Sequence, residues 1–427
     1  MLPATFQDAI DFTRRLGLRY IWIDSICIIQ DSPKDWAEQS SLMADIYGNA
    51  HLTICATASA GSDGGCYLPT PEFWRPHKIM PLGPDKKEYT VYVRGHLDER
   101  HVPDWSQASR GAHPRNFPLL TRAWAFQERL LSPRLVHFAA GEIMWECFEA
   151  SDCECRRGLP SMFPKFLPEK MMFREPQAAA GDLEALTRHW RHIVFAFSGL
   201  ELTLAKDKLP ALSGVAKRTL RLRPADDEYL AGLWRKTLLT DICWTGFRND
   251  LRRPQAWRCP SWSWASVDGV VQGHFGLSGP RRTYSTIHHA SVTLAGPDPM
   301  GEVTDGEIVL SGPMFVAELY EETAGQGKFE RLKLRGNGLT VGFDVDCYND
   351  FDSGRLASGN RLACLRIACS LFGGDFCLVL KLQEGEDTEA HSGQSTYQRV
   401  GYVLHDPKEL ETHWYSQETE PRLVRIV

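Results

Sequence analysis

An aspartate at the end of an apolar run is the first residue whose position could support chemistry. Asp24 directly follows Tyr20–Ile23, a run that predicts a strand buried on both faces. In open parallel sheets, ligands bind beyond the carboxyl ends of the strands, so a carboxylate there could bind a ligand or catalyse. The alternative is that Asp24 accepts backbone N–H bonds from the following loop and only holds that loop in shape.

A second group of polar and aromatic side chains lies on a helix predicted over Thr121–Leu131. Trp124 and Glu128 are four residues apart and therefore share a face of that helix, with Gln127 beside them. The planar fork of Arg122 could bind a phosphate or a carboxylate ligand. It could equally form a buried structural ion pair with the aspartate described above. The sequence leaves both interpretations open.

Three further residues are candidates for a functional site, and each also has a purely structural interpretation. Glu38 lies on a helix predicted to begin at Pro33, opposite the apolar stripe of that helix. It is either a solvated glutamate or a group that meets a ligand or another part of the protein. Trp262 and Trp264 flank one serine in a segment predicted to be extended, which would place both indoles on one side. Such a pair either clamps a planar ligand or fills a core.

The cysteines and the common motifs narrow the classes of site. The chain has 12 scattered cysteines without the tight framework of a small secreted domain, which predicts a reducing setting. Cys147, Cys153 and Cys155 lie close together but lack a second CxxC or a spaced histidine pair, so no metal is expected. P-loop, Rossmann glycine, GxSxG and HExxH motifs are all missing, which argues against the common nucleotide- and metal-dependent enzymes. No cofactor is expected.

Length and charge limit the number of domains and the kinds of partner that the sequence predicts. At 427 residues the chain is long enough for two or three hydrophobic cores. Its net charge of -6 gives no overall basic surface, so neither nucleic acid nor a membrane is expected as a partner. No signal peptide is recognisable, and no apolar run approaches the roughly 20 residues that cross a bilayer. We expect a cytoplasmic protein whose partner or small-molecule ligand the sequence does not identify; homo-oligomerisation stays open.

The predicted elements indicate a mixed α/β fold. Two apolar strands, Tyr20–Ile23 and Leu52–Ala56, with a helix between them, predict a parallel βαβ unit. Leu135–Ala139 and Ile143–Cys147 predict a hairpin. Three helices are predicted further on, over Asp182–Ser198, Leu209–Thr219 and Asp227–Cys243. Short strands are predicted after them. The predicted divisions are 1–155 for an α/β core, 156–180 for a linker, 181–270 for a helical region and 271–427 for a β-rich region.

Three blocks of this sequence resemble the fungal heterokaryon incompatibility (HET) family. The first is WIDSICIIQD at Trp22–Asp31, continued by IYGNA at Ile46–Ala50. The second is TRAWAFQERLLSPR at Thr121–Arg134. The third combines DKLPALSG, YLAGLW and PSWSW, which begin at Asp207, Tyr229 and Pro260. An earlier strand block with a Ser-Tyr-x-Trp-Gly-like turn, usual in the family, is missing here, so this is either a shortened member or a gene model that starts late.

The resemblance implies a role in self/non-self recognition or programmed cell death signalling. HET domains have also been likened to TIR domains, some of which cleave nicotinamide dinucleotides with a glutamate. In that alternative Glu38 or Glu128 is the carboxylate, Trp124 stacks on a base or nicotinamide ring, and NAD is a substrate only. A third interpretation is a tailoring enzyme of fungal secondary metabolism, with Trp124, Trp262 and Trp264 around its pocket. Whether the chain is an enzyme stays open.

Overall fold

The protein is known from a computed structural model, and its described residues form two compact units. The described residues are 2–70, 72, 75–80, 85–93, 117–154, 170, 182–247, 250–273, 277, 280–322, 331–383, 395–415 and 419–427. The units are Met1–Ala178 and Ala179–Val427. Helices and strands occur in both, which confirms the mixed α/β class. The linker predicted over 156–180 lies outside the described residues except for Lys170, and the predicted domain boundaries stay predictions.

Local sequence signals set the helix ends of the first unit. Its described α-helices are α1 (Ala4–Arg15), α2 (Asp24–Cys27), α3 (Pro33–Gly48) and α4 (Ala123–Leu131). The Ser32 hydroxyl accepts the backbone N–H of Asp35, and Pro33 occupies the first helical position of α3. Gly17 follows α1 with a φ of 72°, the left-handed conformation that glycine adopts without strain. These helix starts and stops confirm the prediction.

The strands of the first unit form one four-stranded sheet and one separate hairpin. The described strands are β1 (Thr53–Cys55), β2 (His77–Ile79), β3 (Val91–Val93), β4 (Arg134–Phe138), β5 (Ile143–Cys147) and β6 (Ser151–Cys153). The sheet order is β1-β4-β5-β6, with β1 and β4 parallel and the other pairs antiparallel. The predicted β4–β5 hairpin is confirmed. Helix α1 packs on this sheet, since the rings of Phe12 and Phe138 meet edge to face at 5.2 Å.

The strand predicted over Tyr20–Ile23 is wrong. No ladder includes these residues, and Tyr20 is 84% exposed, so the run is not buried on both faces. Its composition favours a strand, but a strand forms only where a neighbouring backbone supplies its hydrogen bonds. The parallel pair of this unit is instead β1 and β4, with α4 between them in the chain.

The helices of the second unit partly match the sequence prediction. They are α5 (Leu183–Ser198), α6 (Pro210–Leu220), α7 (Leu238–Asp241), α8 (Asn349–Asp352) and α9 (Pro407–His413). The helix predicted over Asp227–Cys243 is wrong, because β7 (Tyr229–Leu230) and β8 (Leu233–Trp234) form a tight hairpin there. Ala231 and Gly232 join the two strands with positive φ values of 44° and 97°, which a helix does not contain.

The remaining strands confirm a β-rich C-terminal part. Outside the large sheet, β9 (Trp244–Gly246) pairs with β10 (Val271–Gly273). Within the described residues the large sheet has 11 strands: β11 (Arg282–Thr283), β12 (Thr286–Leu294), β13 (Val303–Gly312), β14 (Met314–Glu322), β15 (Arg331–Gly336), β16 (Leu339–Gly342), β17 (Asp344–Val345), β18 (Arg361–Cys369), β19 (Asp375–Leu382), β20 (Thr396–His405) and β21 (Arg422–Ile426). The main path through the sheet is β12-β13-β21-β20-β19-β18-β14-β15-β16. Side chains from one face pack with Leu410, Trp414 and Tyr415 into a hydrophobic core.

Within the described ranges, no helix combines the length and the apolar character that membrane crossing requires.

Candidate functional site

Asp24 is the first residue of the short helix α2 and its side chain is exposed. One carboxylate oxygen accepts the backbone N–H of Ser25 at 2.7 Å. The Asp24 backbone carbonyl accepts the N–H of Ile28 at 2.9 Å, which closes the single turn of α2. Asp24 therefore shapes its own loop, as the structural alternative predicted, while its side chain stays open to solvent.

Glu128 brings a second carboxylate into this region. Helices α3 and α4 pack together, and the Tyr47 hydroxyl of α3 hydrogen-bonds to the Glu128 carboxylate of α4. Burial and the charge of Asp24 raise the pKa of Glu128 to about 7, although the Tyr47 hydrogen bond and the charge of Arg122 act in the opposite direction. Burial, followed by the charges of Glu128 and Asp24, raises the pKa of Tyr47 well above its ordinary value. Glu128 can therefore give or take a proton near neutral pH, while Tyr47 stays protonated.

Arg122 completes the group. It is the residue before α4, and its side chain is exposed. Its positive charge favours the ionised form of Glu128. We call Asp24, Tyr47, Arg122 and Glu128 the carboxylate cluster. Sequence reasoning missed Tyr47, because its place on the apolar stripe of α3 indicated a packing residue.

Indole rings pack beside the carboxylate cluster. Trp22 meets Tyr47 edge to face, with 5.8 Å between ring centroids. Trp36 of α3 meets Trp124 of α4 in the same manner at 6.2 Å. Both of these indoles are partly buried, so they hold α3 against α4 and keep part of their faces at the surface. Ligand binding by Trp124 stays a prediction.

Two other candidates on α3 and α4 differ in exposure. Glu38 is exposed on α3, and its backbone carbonyl accepts the Ser41 hydroxyl at 2.7 Å. Gln127 is only 1% exposed in α4. The surface position of Glu38 agrees with a solvated glutamate, whereas Gln127 belongs to the interior of the unit. Functional roles for both residues stay predictions.

Trp262 and Trp264 lie inside the second unit. The extended conformation predicted for this segment is wrong, because it turns into a 3-10 helix at Trp264–Ser266. The two indoles are 0% and 1% exposed. Trp264 donates its indole N–H to the Gly232 carbonyl at 2.9 Å, and the Trp262 carbonyl accepts the indole N–H of Trp244 at 2.9 Å. Their ligand-binding role stays a prediction, and their burial agrees with the core alternative.

Sequence reasoning also missed a buried polar network behind the carboxylate cluster. Arg129, which follows Glu128 in α4, donates two hydrogen bonds to Glu146 at 2.6 and 2.5 Å. His137 bonds Glu146 through Nε2 at 3.0 Å and Thr57 through Nδ1 at 2.8 Å. Each of the four side chains is at most 2% exposed. We call Thr57, Arg129, His137 and Glu146 the buried network.

The charge state of Glu146 sets the direction of the hydrogen bonds it makes. Burial alone would raise the pKa of Glu146, but the charge of the Arg129 guanidinium, the hydrogen bonds of Arg129 and His137, and the charge of His137 hold it well below its usual range. The ionised Glu146 only accepts, so His137 donates to it from Nε2. The sequence signal was a histidine and a glutamate in otherwise apolar strands.

The buried Cys55 thiol is affected by charges of both the buried network and the carboxylate cluster. Burial raises the pKa of the Cys55 thiol, and the charges of Glu128 and Glu146 raise it further. Cys55 therefore lies within electrostatic reach of both carboxylates and stays a neutral thiol. Within the described ranges, no set of three or more His, Cys, Asp or Glu side chains is arranged to hold a metal ion. Cys155 lies outside those ranges.

Among the comparisons with known proteins, one family model matches the part of the chain that contains the carboxylate cluster. No curated protein and no solved structure matched the chain. The family model described as "Heterokaryon incompatibility protein (HET)" matches residues 1–128, a range that contains all four residues of the cluster. Residues 1–128 of this chain are therefore similar to the HET family.

Proposed function

We propose that this chain is a heterokaryon-incompatibility protein that acts in the cytoplasm of a fungal cell. Its HET segment triggers growth arrest or programmed cell death after self/non-self recognition, and the carboxylate cluster is the part of the segment that carries this effect. The family match over residues 1–128 supports the biological role. The geometry of the cluster supports the choice of residues.

The observation that carries the proposal is the approach of Glu128 to Asp24. A carboxylate that loses solvent beside a second carboxylate destabilises the folded chain. The Tyr47 hydrogen bond and the charge of Arg122 favour the ionised form of Glu128, but they do not offset its burial and the charge of Asp24. Groups held in such environments concentrate at functional sites. The arrangement therefore supports a functional role for Asp24 and Glu128, because packing alone does not require two carboxylates at this place.

Expression in a fungal host tests the proposal. Induction of the wild-type chain should arrest growth, whereas Glu128→Gln should be harmless, because it keeps the shape but removes the proton that Glu128 exchanges. Glu88→Gln is the matched control, since Glu88 is an exposed glutamate in the same matched segment. Equal amounts of the three proteins must be confirmed by immunoblot. A harmless, well-expressed wild type contradicts the proposal.

A second candidate function is hydrolysis of a nicotinamide dinucleotide, favoured by the raised pKa of Glu128 beside the anionic Asp24. In this reaction the bond between ribose C1′ and the pyridinium nitrogen breaks, and its electron pair goes to that nitrogen. Asp24 would stabilise the ribosyl cation that develops. Water adds to C1′ and loses a proton to Glu128, while nicotinamide leaves as a neutral molecule.

Incubation of the purified chain with NAD tests this second candidate. Wild type should release nicotinamide, Glu88→Gln should match it, and Glu128→Gln should not. No release by the wild type contradicts hydrolysis but leaves the growth assay to decide the first proposal. No specific observation favours the secondary-metabolism alternative, because Trp262 and Trp264 are enclosed in the core of the second unit.

A further inference from the structure

An extended segment next to the carboxylate cluster has the composition of a strand but belongs to no sheet. Its core, Tyr20–Ile23, consists of aromatic and β-branched residues, the types that favour strands. Ile23 has the backbone angles of a strand, with φ −131° and ψ 119°. We call Arg19–Ile23 the open segment. Strand composition without strand pairing is a conflict between local preference and the fold of one isolated chain.

Within the described residues, the backbone of the open segment is unpaired except at Ile23, whose carbonyl accepts the N–H groups of Ile26 and Cys27 at 3.0 and 2.8 Å. Within the part of the chain that the structure describes, the N–H and C=O groups of Arg19–Trp22 make no hydrogen bond to other backbone groups. Apolar side chains around it are exposed, with Tyr20 at 84%, Ile26 at 50% and Ile29 at 59%. An exposed, apolar and unpaired extended segment is a template for a further strand.

The charges at its two ends indicate which strand would pair with it. Arg19 is exposed at the N-terminal end, and Asp24, which follows the segment directly, is exposed at the C-terminal end. In an antiparallel pair of two identical segments, the basic end of each copy lies beside the acidic end of the other. Such self-complementarity is what a twofold interface requires.

We propose that two copies of this chain pair antiparallel through the open segment. A twofold axis at Ile21 places Ile21 opposite its counterpart and Tyr20 opposite the partner's Trp22, which gives two aromatic cross-strand pairs. The N–H and C=O groups of alternate residues, those that point toward the partner copy, then find hydrogen-bonding partners. Because Asp24 follows directly, pairing also fixes the chain where it enters the carboxylate cluster. The interface does not depend on the proposed function.

Molar mass measured by light scattering during size-exclusion chromatography of the full chain tests this. We expect a mass about twice the 48.2 kDa of one chain. Ile21→Pro removes a backbone N–H, and Tyr20→Lys places a charge in the interface, so both variants should elute as monomers. Phe372→Lys is the matched control, since Phe372 is 83% exposed in the second unit, and it should remain a dimer.

Hydrogen exchange locates the contact. Amides of the open segment should exchange slowly in the concentrated dimer and rapidly after dilution to monomer. A monomer at every concentration, or a dimer that both variants leave intact, overturns the proposal. A stable complex formed only with a different protein overturns self-pairing as well. Glu128→Gln should keep the dimer even where it abolishes growth arrest, so the two proposals fail separately.

Discussion

The Tyr47 hydroxyl hydrogen-bonds to the Glu128 carboxylate, and this contact joins two segments that are far apart in the chain. Asp24 lies close enough to raise the pKa of Glu128, while Arg122 lowers it. The result is one carboxyl group that is half protonated near pH 7. Its protonation connects the stability of the first unit to the chemistry that the cluster can do.

The first prediction concerns the pH dependence of stability. The pKa of Glu128 rises from 4.5 to about 7 on folding, so the folded state holds this proton more tightly. The stability this provides is complete below pH 4.5 and is lost as the pH rises through 7, a change of about 3 kcal/mol. The Glu128→Gln variant does not lose this stability, because glutamine does not titrate. In urea unfolding, the free energy of unfolding of Glu128→Gln relative to wild type should therefore increase between pH 5 and pH 8.

The control for that experiment is Glu88→Gln, whose side chain is exposed. Its difference from wild type should not change with pH. An advantage of Glu128→Gln that is equal at pH 5 and pH 8 would show that Glu128 titrates at its ordinary value.

The second prediction isolates the hydroxyl of Tyr47. Its hydrogen bond favours the ionised form of Glu128, so Tyr47→Phe should raise the pKa of Glu128 further above 7. The ring that packs edge to face on Trp22 is retained, which limits the stability loss to about 1 kcal/mol. An NMR titration of the carbon-labelled Glu128 carboxyl measures the shift directly. A lowered or unchanged pKa would mean that the hydroxyl does not stabilise the carboxylate.

Much of the fold could be predicted because its signals are local. The serine and proline before α3 and the glycine after α1 act within one helical turn, and Gly141 closes the β4–β5 hairpin with a φ of 99°. The two wrong elements depend on distant partners. Tyr20–Ile23 has strand composition but no ladder, and Asp227–Cys243 bends at Gly232, whose carbonyl is held by two indoles.

The site was predictable only in part for the same reason. Asp24 and Glu128 were recognisable as polar residues at chemically suitable positions. Their approach, and the raised pKa that follows, depends on how α3 packs on α4. Tyr47 resembled a packing residue, and His137 resembled part of an apolar strand. No local sequence pattern indicates that a polar side chain will form a hydrogen bond with a residue far away in the chain.

The third prediction tests the buried network. Glu146→Gln removes the negative charge that accepts two hydrogen bonds from the buried Arg129 guanidinium, which should cost about 3–5 kcal/mol. Thr57→Val should cost less, about 1–3 kcal/mol, because it removes one hydrogen bond to His137 and leaves the Arg129–Glu146 ion pair in place. Urea unfolding of both variants at pH 7 gives the order. A larger loss for Thr57→Val would contradict the dominance of the ion pair.

The Arg129–Glu146 ion pair also predicts how stability changes at acidic pH. The folded-state pKa of Glu146 lies below its usual value, so its stabilising contribution is complete above about pH 4.5 and is lost as the pH falls below that. Wild type should therefore lose stability on acidification from pH 4.5 more steeply than Glu146→Gln. Parallel slopes would indicate that Glu146 is not held ionised by Arg129.

The last prediction concerns the hairpin that replaced a predicted helix. The carbonyl of Gly232 accepts the indole N–H groups of Trp190 and Trp264, each at 2.9 Å. A Cβ added at Gly232 would lie 2.6 Å from the Trp264 indole nitrogen, so Gly232→Ala combines backbone strain with a clash. Gly359 also has a positive φ, 89°, but a Cβ there meets nothing within 4 Å, so Gly359→Ala carries the strain alone, about 1 kcal/mol.

Comparison of these two alanine variants by thermal unfolding separates strain from packing. Gly232→Ala should lower the melting temperature clearly more than Gly359→Ala, because the Trp264 indole, which is 1% exposed, must move within a packed core. Tryptophan fluorescence should shift to longer wavelength only in Gly232→Ala. Equal melting temperatures would mean that the indoles yield without cost, and that the Gly232 carbonyl does not order this part of the second unit.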